Sequence, residues 1–257
     1  MRFSVNISTI FTEIPFLSRF EKARKAGFHY VECQFPYHYR LDELEEKLAK
    51  NNLSMTLLNC PPGNWEAGDR GLAADRNRID EFEESVERSI TYAKRLKVKQ
   101  LHCMAGIIPL NQSIEETRMN YINNITYAAK KMSSYGITLL IEPINSYDMS
   151  GYFLSSLDDA LDILKEIAME NVKLQFDFYH IQRMHGNLIA NFQQNIEHIA
   201  HIQVADCPKR HEPGTGEINY SNIFRTIQAS GYDGFIGLEY TPETTSEDSF
   251  TWLTRWR

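Results

Sequence analysis

Closely spaced cysteines are missing from this sequence. The four cysteines, Cys33, Cys60, Cys103 and Cys207, lie far apart, and none belongs to a C-x-x-C pair. A disulfide framework or a structural zinc site needs cysteines at characteristic spacings, so this pattern argues against both. We therefore expect reduced thiols in a cytoplasmic protein.

Long apolar runs and basic blocks are missing too. The N-terminal segment MRFSVNISTIF lacks the apolar core and the small-residue cleavage site of a signal peptide, and polar residues interrupt every apolar run. The formal net charge is −7, from 27 basic and 34 acidic residues. This balance disfavours nucleic acid and anionic membranes as partners. A homo-oligomer is compatible with the sequence.

What the sequence does contain is a regular alternation of strand and helix patterns. Apolar residues make up 42% of the 257 residues, which is enough for a full core. Phe3, Val5 and Ile7 alternate as in a strand, whereas the following segment, 16–23, has helical spacing. Eight such pairs predict a parallel sheet closed into an α/β (βα)8 barrel, in one domain over 1–257. The rival, an open doubly wound sheet, usually carries a glycine-rich fingerprint after its first strand, and VNISTIFTE has none.

Four oxygen-bearing side chains end successive predicted strands. They are Glu142, Asp177, Gln203 and Glu239. The strand ends of a parallel barrel converge on one face, where three carboxylates would repel one another unless a cation lay among them. Oxygen donors without a thiolate suit Mg²⁺ or Mn²⁺, so the sequence predicts a divalent metal site. Glu32 also ends a strand, but we expect the second strand to lie away from this cluster, and we assign Glu32 no role.

Several other residues have both a functional and a structural interpretation. His180, three residues after Asp177, and His102, at the end of the fourth strand, are either substrate-binding residues or ordinary interior histidines. Arg210 follows the seventh strand and is either a clamp for a substrate carboxylate or an exposed loop charge. The long loop 61–76 is expected to lie on the active face as a lid, with Trp65 covering the substrate or packing within the loop.

These motifs resemble those of a known family. They are LLIEPIN around Glu142, FDFYH with Asp177 and His180, HIQVAD with Gln203, RHEPGTGEINY at 210–220, and GLEY with Glu239. Together they are similar to the hydroxypyruvate isomerase family of xylose-isomerase-like barrels, and the resemblance runs from FSVNIS to TWLTRW. It implies a (βα)8 barrel with Mg²⁺ or Mn²⁺ bound by the four strand-end residues. It also implies that Glu142 and Glu239 act as proton donor and acceptor, and it favours the clamp role for Arg210.

The resemblance implies an aldose–ketose isomerase acting on a small keto or aldehyde acid. The best-known reaction of the family interconverts hydroxypyruvate and 2-hydroxy-3-oxopropanoate through an enediolate. Close relatives isomerise 2-oxo-tetronates, and more distant ones are ketose 3-epimerases with a histidine at the position of Gln203. Two further alternatives are a related barrel that cleaves DNA at abasic sites and a non-catalytic sugar sensor. The acidic balance disfavours the first, and the intact strand-end acids disfavour the second.

Overall fold

The barrel predicted from the strand–helix alternation is confirmed. The computed structural model describes residues 1–256 and shows eight parallel strands in a closed barrel, each beside its neighbour in chain order. The strands are β1 (Arg2–Asn6), β2 (Tyr30–Cys33), β3 (Ser54–Asn59), β4 (Gln100–His102), β5 (Thr138–Ile141), β6 (Val172–Asp177), β7 (Ile199–Val204) and β8 (Phe235–Leu238).

Eight α-helices connect the strands. They are α1 (Phe16–Lys25), α2 (Leu41–Lys50), α3 (Ile79–Leu96), α4 (Ile114–Ser133), α5 (Leu157–Ile167), α6 (Phe178–Met184), α7 (Leu188–Asn195) and α8 (Tyr220–Ala229). Two of them, α6 and α7, follow the same strand. Gly186 and Asn187, between them, both have positive φ angles, which a continuous α-helix does not allow. The predicted last helix is a 3-10 helix, Asp248–Arg255.

The chain divides into two compact units. The first comprises Met1–Cys33, Asp42–Thr56 and the chain from Gln175 onward, and the second comprises Gln34–Leu41 and Leu57–Leu174. Each unit buries its own apolar side chains. In the first unit these include Val5, Phe20, Phe224, Ile236 and Leu238, and in the second they include Val86, Leu101, Ile125, Leu139 and Ile163. That one domain spans 1–257 stays a prediction.

Within the first unit, the register of the paired strands determines which polar residues lie opposite one another. In the register of β1 with β2, Asn6 is opposite Glu32, and in the register of β7 with β8, Gln203 is opposite Gly237. Side chains alternate between the two faces of a strand, so His201 and Gln203 point to the same face of β7. All of these residues except Gly237 are polar, and all except His201, in the middle of β7, lie near the strands' carboxyl ends.

Two expectations about the rest of the chain concern its cysteines and its helices. The four cysteines are buried free thiols, and the Sγ atoms of Cys60 and Cys103 are 3.3 Å apart. Within residues 1–256 no helix has both the length and the apolar content needed to cross a membrane.

Candidate active site

The four oxygen-bearing residues predicted to form the site are all buried at strand ends. Asp177 is the last residue of β6, Gln203 lies one residue before the end of β7, and Glu142 and Glu239 directly follow β5 and β8. Each is at most 7% exposed. Burying a carboxylate is unfavourable unless donors or a cation compensate it, so the partners of these groups determine what the site can do.

Buried groups of each unit are candidate metal ligands. In the first unit His180 Nε2 lies 3.6 Å from Asp177 Oδ2, and in the second unit the candidate is the Glu142 carboxylate. Asp177 Oδ1 accepts a hydrogen bond from the Tyr179 backbone N–H (2.8 Å), whereas the buried Asp177 Oδ2 has no hydrogen-bond donor. Carboxylate and imidazole ligands suit a divalent cation, and a buried oxygen without a hydrogen-bond donor among residues 1–256 is what a metal ligand would leave. The residues therefore fit such an ion.

Burial and the charges around Asp177 shift the pKa of its carboxyl group. Burial is the main reason that the pKa of its carboxyl is raised to about 7. The guanidinium of Arg210 opposes this shift, and the carboxylate of Glu239 adds to it. In the metal-free protein the Asp177 carboxyl therefore holds a proton over a range of pH in which an exposed aspartate is ionised.

Arg210 is the cation nearest to these acids in the first unit. Its Nη2 lies 3.0 Å from Glu239 Oε1, 3.4 Å from His180 Nε2 and 3.6 Å from Asp177 Oδ2. The side chain is 30% exposed, so the guanidinium reaches the acids while part of it stays accessible. Its position among the acids is compatible with the predicted binding of a substrate carboxylate, which stays a prediction.

The loop that carries Arg210 is organised by Asp206, a residue to which we assigned no role from the sequence. Asp206 Oδ1 accepts hydrogen bonds from the backbone N–H groups of Cys207 (2.9 Å) and Ile218 (3.0 Å), and Oδ2 accepts from Gly214 (2.8 Å). A buried carboxylate with three backbone donors holds the loop against the end of β7. The signal in the sequence was an aspartate at the end of an apolar strand, within the HIQVAD motif.

Gln203 and Glu239 belong to a buried hydrogen-bond network. Gln203 Nε2 donates to Glu239 Oε2 (2.5 Å) and to Glu32 Oε1 (2.9 Å), and Gln203 Oε1 accepts from Gln175 Nε2 (2.8 Å). Asn6 Nδ2 also donates to Glu239 Oε2 (3.0 Å). The amide oxygen of Gln203 has two lone pairs, so the bond from Gln175 leaves one for the predicted metal.

The expectation that Glu32 lies away from the site is wrong. Its carboxylate is fully buried and is one hydrogen bond from Gln203, which in turn contacts Glu239. The reason is barrel closure, because β1 pairs with both β2 and β8 and its Asn6 side chain contacts both glutamates. Asn6, Glu32 and Gln175 are the contributors that sequence reasoning missed, since nothing local to them indicates their partners.

The remaining predicted residues lie in the second unit. His102 is buried, with Nδ1 3.5 Å from Glu142 Oε2, so it contacts one of the two predicted acid–base residues. Trp65 is 41% exposed, and its ring lies 4.0 Å from the Arg70 guanidinium carbon and 5.5 Å from the Phe35 ring. Trp65 thus packs against Arg70 of its own loop and against Phe35 outside it, and leaves part of its surface accessible. Its contact with substrate, and the lid role of the loop, stay predictions.

This constellation is suited to proton transfer on a small anion. It combines buried carboxylates, an imidazole and a guanidinium in a region with little solvent, where electrostatic interactions are strong. Carboxylates serve as general acids and bases, and the guanidinium pairs with a carboxylate through two parallel hydrogen bonds.

Comparison with known proteins gives consistent results over the whole chain. The model of the xylose isomerase-like TIM barrel family matches residues 20–256. The chain is 44% identical to hydroxypyruvate isomerase of Escherichia coli K12, with all of both chains covered. It is 42% identical to 2-oxo-tetronate isomerase of Cupriavidus necator, with 98% of this chain and 97% of the relative covered.

A solved structure is similar at the level of the fold and of the sequence. The crystal structure of an AP endonuclease, family 2, from Brucella melitensis superposes with a TM-score of 0.97 at 39% identity, over 100% of this chain and 99% of that one.

Proposed function

Because this chain belongs to the xylose isomerase-like TIM barrel family, and within it to the hydroxypyruvate isomerases and their relatives, we propose that it interconverts hydroxypyruvate and 2-hydroxy-3-oxopropanoate. The coarser statement, that it is an isomerase of a small keto acid, follows from the family itself. The observation that carries the finer proposal is the similarity to the Escherichia coli hydroxypyruvate isomerase, which extends over the full length of both chains.

The reaction moves a proton between two neighbouring carbons. One of the glutamates Glu142 and Glu239 removes the proton from C3 of hydroxypyruvate, the hydroxyl proton passes from O3 to O2, and the other glutamate protonates C2. Supporting these roles, both side chains are buried directly after a strand, where the backbone holds them firmly. The two amide donors on Glu239 Oε2 fix the orientation of that carboxylate.

A divalent cation would complete this site. Glu142, Asp177 and His180 would hold it, and we keep Gln203 and Glu239 as the further ligands predicted from the sequence. When bound, Mg²⁺ or Mn²⁺ supplies Lewis-acid stabilisation of the developing enediolate oxygen.

Arg210 makes the site prefer a substrate that carries a carboxylate. A guanidinium near the reacting groups binds the substrate carboxylate in two parallel hydrogen bonds and orients the two reacting carbons. A neutral ketose has no such carboxylate, so the presence of Arg210 favours the isomerase over the ketose 3-epimerase. The 2-oxo-tetronates carry the same carboxylate, and the 42% identity to a 2-oxo-tetronate isomerase makes them the second candidate substrates.

A substrate panel followed by proton NMR in D₂O tests the proposal. Hydroxypyruvate, a 2-oxo-tetronate, a neutral ketohexose and a duplex with an abasic site are each incubated with metal-stripped protein, with and without Mg²⁺ or Mn²⁺. We expect turnover of hydroxypyruvate with deuterium incorporation at carbon, only when metal is added. The variant Glu239→Gln should keep the fold and lose at least about 100-fold in turnover.

Each other result has a defined meaning. Faster turnover of the 2-oxo-tetronate would show that it, and not hydroxypyruvate, is the substrate. Epimerisation of the ketohexose would show that the enzyme is an epimerase. Cleavage of the duplex without isomerisation would refute an isomerase. Full activity in stripped protein would remove the metal from the mechanism.

A further inference from the structure

The Glu32 carboxylate lies in the middle of the first unit's polar network, although the proposed mechanism does not use it. It is fully buried, and both of its oxygens have partners. Oε1 accepts hydrogen bonds from Gln203 Nε2 (2.9 Å) and Asn6 Nδ2 (3.3 Å), and Oε2 lies 2.9 Å from His201 Nε2. Resting on the proposed function, we propose that Glu32 is a positioning residue that fixes the Gln203 amide and, through Gln203 and Asn6, the Glu239 carboxylate.

The orientation of the Gln203 amide depends on two carboxylates. Its nitrogen lies within hydrogen-bond distance of one oxygen of Glu32 and one oxygen of Glu239. A flipped amide would place its oxygen against both acceptors, which is strongly unfavourable. If Glu32 were absent, one of the two acceptors that hold the nitrogen in place would be lost. The amide oxygen of Gln203, the predicted metal ligand, would then be held only by the bond from Gln175 and by the contact of the amide nitrogen with Glu239, so its direction would be less firmly fixed.

Asn6 makes a second bridge of the same kind. Its Nδ2 donates to Glu32 Oε1 (3.3 Å) and to Glu239 Oε2 (3.0 Å), the same two oxygens that Gln203 joins. Two amide groups therefore lie between two carboxylates, and each amide can give one proton to each. This arrangement compensates two buried acids and holds Glu239 Oε2 at a fixed distance from Glu32. The other oxygen of Glu239, Oε1, stays directed at Arg210.

Gly237 provides the space that this arrangement needs. A Cβ atom at position 237 would lie 2.5 Å from both carboxylate oxygens of Glu32, closer than such atoms come in proteins. Gly237 has no positive φ angle, so backbone conformation does not demand glycine there. The missing side chain makes room for the Glu32 carboxylate, and Gln203 is the neighbour of Gly237 across the strand pair.

His201 completes the environment of Glu32. It is fully buried, its Nε2 contacts Glu32 Oε2, and its Nδ1 has no hydrogen-bond partner within the described residues. His201 Nε2–H therefore donates to the carboxylate, while the remaining ring nitrogen needs no partner if it carries no proton. Among residues 1–256, the hydrogen bonds of the Glu32 side chain lead either to this histidine or to the two bridging amides.

The test compares Glu32→Ala with Glu32→Gln. The glutamine can still accept from Gln203 and Asn6 with its oxygen. Its amide nitrogen can donate to His201 Nε2 once the imidazole proton moves to Nδ1, so the variant preserves the positioning without the charge. The alanine removes the acceptor. We expect Glu32→Ala to lower kcat for hydroxypyruvate and to weaken Mn²⁺ binding to stripped protein, measured by calorimetry, by about 10- to 100-fold each. KM should change by less than about threefold, because Arg210 is untouched.

Rescue by the conservative variant separates positioning from a purely structural role. Glu32→Gln should recover most of the lost kcat and Mn²⁺ affinity. Thr56→Val is the matched control, because Thr56 is a buried polar residue of the same unit that bonds Ser4 (2.7 Å) and has no contact with Glu32 or Glu239 among the described hydrogen bonds. It should leave both quantities unchanged. Gly237→Ala, which displaces Glu32 sterically, should reproduce the loss if Glu32→Ala fails to fold.

The crystal structure of the variants gives a readout that needs neither activity nor metal. In Glu32→Ala, or in Gly237→Ala, we expect the Gln203 side chain to leave its position between the two glutamates. An unchanged Gln203 and Glu239 there, or equal impairment of Glu32→Ala and Glu32→Gln, would overturn the proposal. If the wild-type protein does not isomerise hydroxypyruvate, the proposed function fails, whereas the Gln203 position still decides the role of Glu32.

Discussion

Arg210 shows how one side chain can serve two kinds of partner. Its Nη2 is within 3.6 Å of Glu239, His180 and Asp177, groups that are also candidate ligands of a cation. A guanidinium and a divalent cation repel each other, so both cannot occupy the same space among these acids. In the metal-free protein the arginine compensates the buried acids, and in the working enzyme we expect it to bind the substrate carboxylate.

Removing this side chain should therefore change substrate and metal binding in opposite directions. Arg210→Ala should raise KM for hydroxypyruvate by about 10- to 100-fold, as expected for the loss of a hydrogen-bonded charge. It should also tighten Mn²⁺ binding to stripped protein by at least about threefold, because a competing positive charge is gone. Enzyme kinetics and calorimetry measure the two quantities.

The neighbouring Lys209 offers a matched control for this experiment. It is exposed and lies in the same loop, so Lys209→Ala should leave both constants unchanged. Weaker or unchanged Mn²⁺ binding by Arg210→Ala would show that the guanidinium does not compete with the cation. An unchanged KM would mean that another group binds the substrate carboxylate.

At the scale of elements, the loop 61–76 has a fixed base and an exposed tip. Gly71 makes an isolated bridge with Ala105, and the Ala74 N–H donates to the Ala105 carbonyl (2.8 Å). The carbonyl of Ala73 accepts from Asn124 Nδ2 (2.9 Å). The tip, by contrast, contains the short 3-10 helix Trp65–Ala67, which is exposed. If the loop moves as a lid, we therefore expect the movement to be confined to the tip.

Two glycines of this loop allow the anchoring to be tested. Both Gly68 and Gly71 have positive φ angles, but only at Gly71 would a Cβ meet backbone, at 2.4 Å from the Met104 carbonyl oxygen. Gly68→Ala should cost about 1 kcal/mol of unfolding free energy from the φ angle alone. Gly71→Ala should cost clearly more, about 3 kcal/mol of unfolding free energy, because the added Cβ must also push apart the backbone bridge between Gly71 and Ala105. Urea denaturation measures both, and equal costs would show that the base of the loop is not anchored at Gly71.

At the scale of the whole molecule, the buried acids link stability to pH and to metal. The pKa of Asp177 is raised to about 7, mainly by burial, whereas the unfolded chain has a value near 3.9. Between these two values the folded protein holds a proton that the unfolded chain has lost. The contribution of this group is therefore fully present below the unfolded pKa and is lost as the pH rises through about 7.

We expect metal-stripped protein to lose stability relative to Asp177→Asn as the pH rises from 5 to 7.5, with a slope of at most about 1.4 kcal/mol per pH unit. Mn²⁺ should reverse this loss, by about 2.7 kcal/mol at a concentration 100 times Kd, and should bind more tightly at higher pH because its ligands must be deprotonated. Thermal unfolding at several pH values measures both effects. If the stability of stripped wild-type protein relative to Asp177→Asn stays constant or increases as the pH rises, this result would contradict a raised pKa at Asp177.

The sequence by itself determined the architecture and which residues end the strands at the candidate site. Apolar alternation and helical spacing are local properties, so the eight strands and the helices between them could be predicted from short segments. The same holds for Glu142, Asp177, Gln203 and Glu239, because each directly ends an apolar strand and parallel strands converge at their carboxyl ends. The helix α6 was missed, because the pattern predicted one helix for each strand and FDFYH was assigned to the end of the strand.

Only the tertiary structure decided which groups those side chains contact. Asn6 and Glu239 are 233 residues apart, and Glu32 and Gln203 are 171 apart, yet each pair shares a hydrogen bond. Nothing within a strand indicates a partner at that distance, because the pairing depends on the closure and register of the barrel. Glu32 was for this reason placed outside the site, and the space left by Gly237 could not be foreseen. The pattern of a chain fixes which face a side chain points to, whereas its partners follow from the three-dimensional arrangement of the strands.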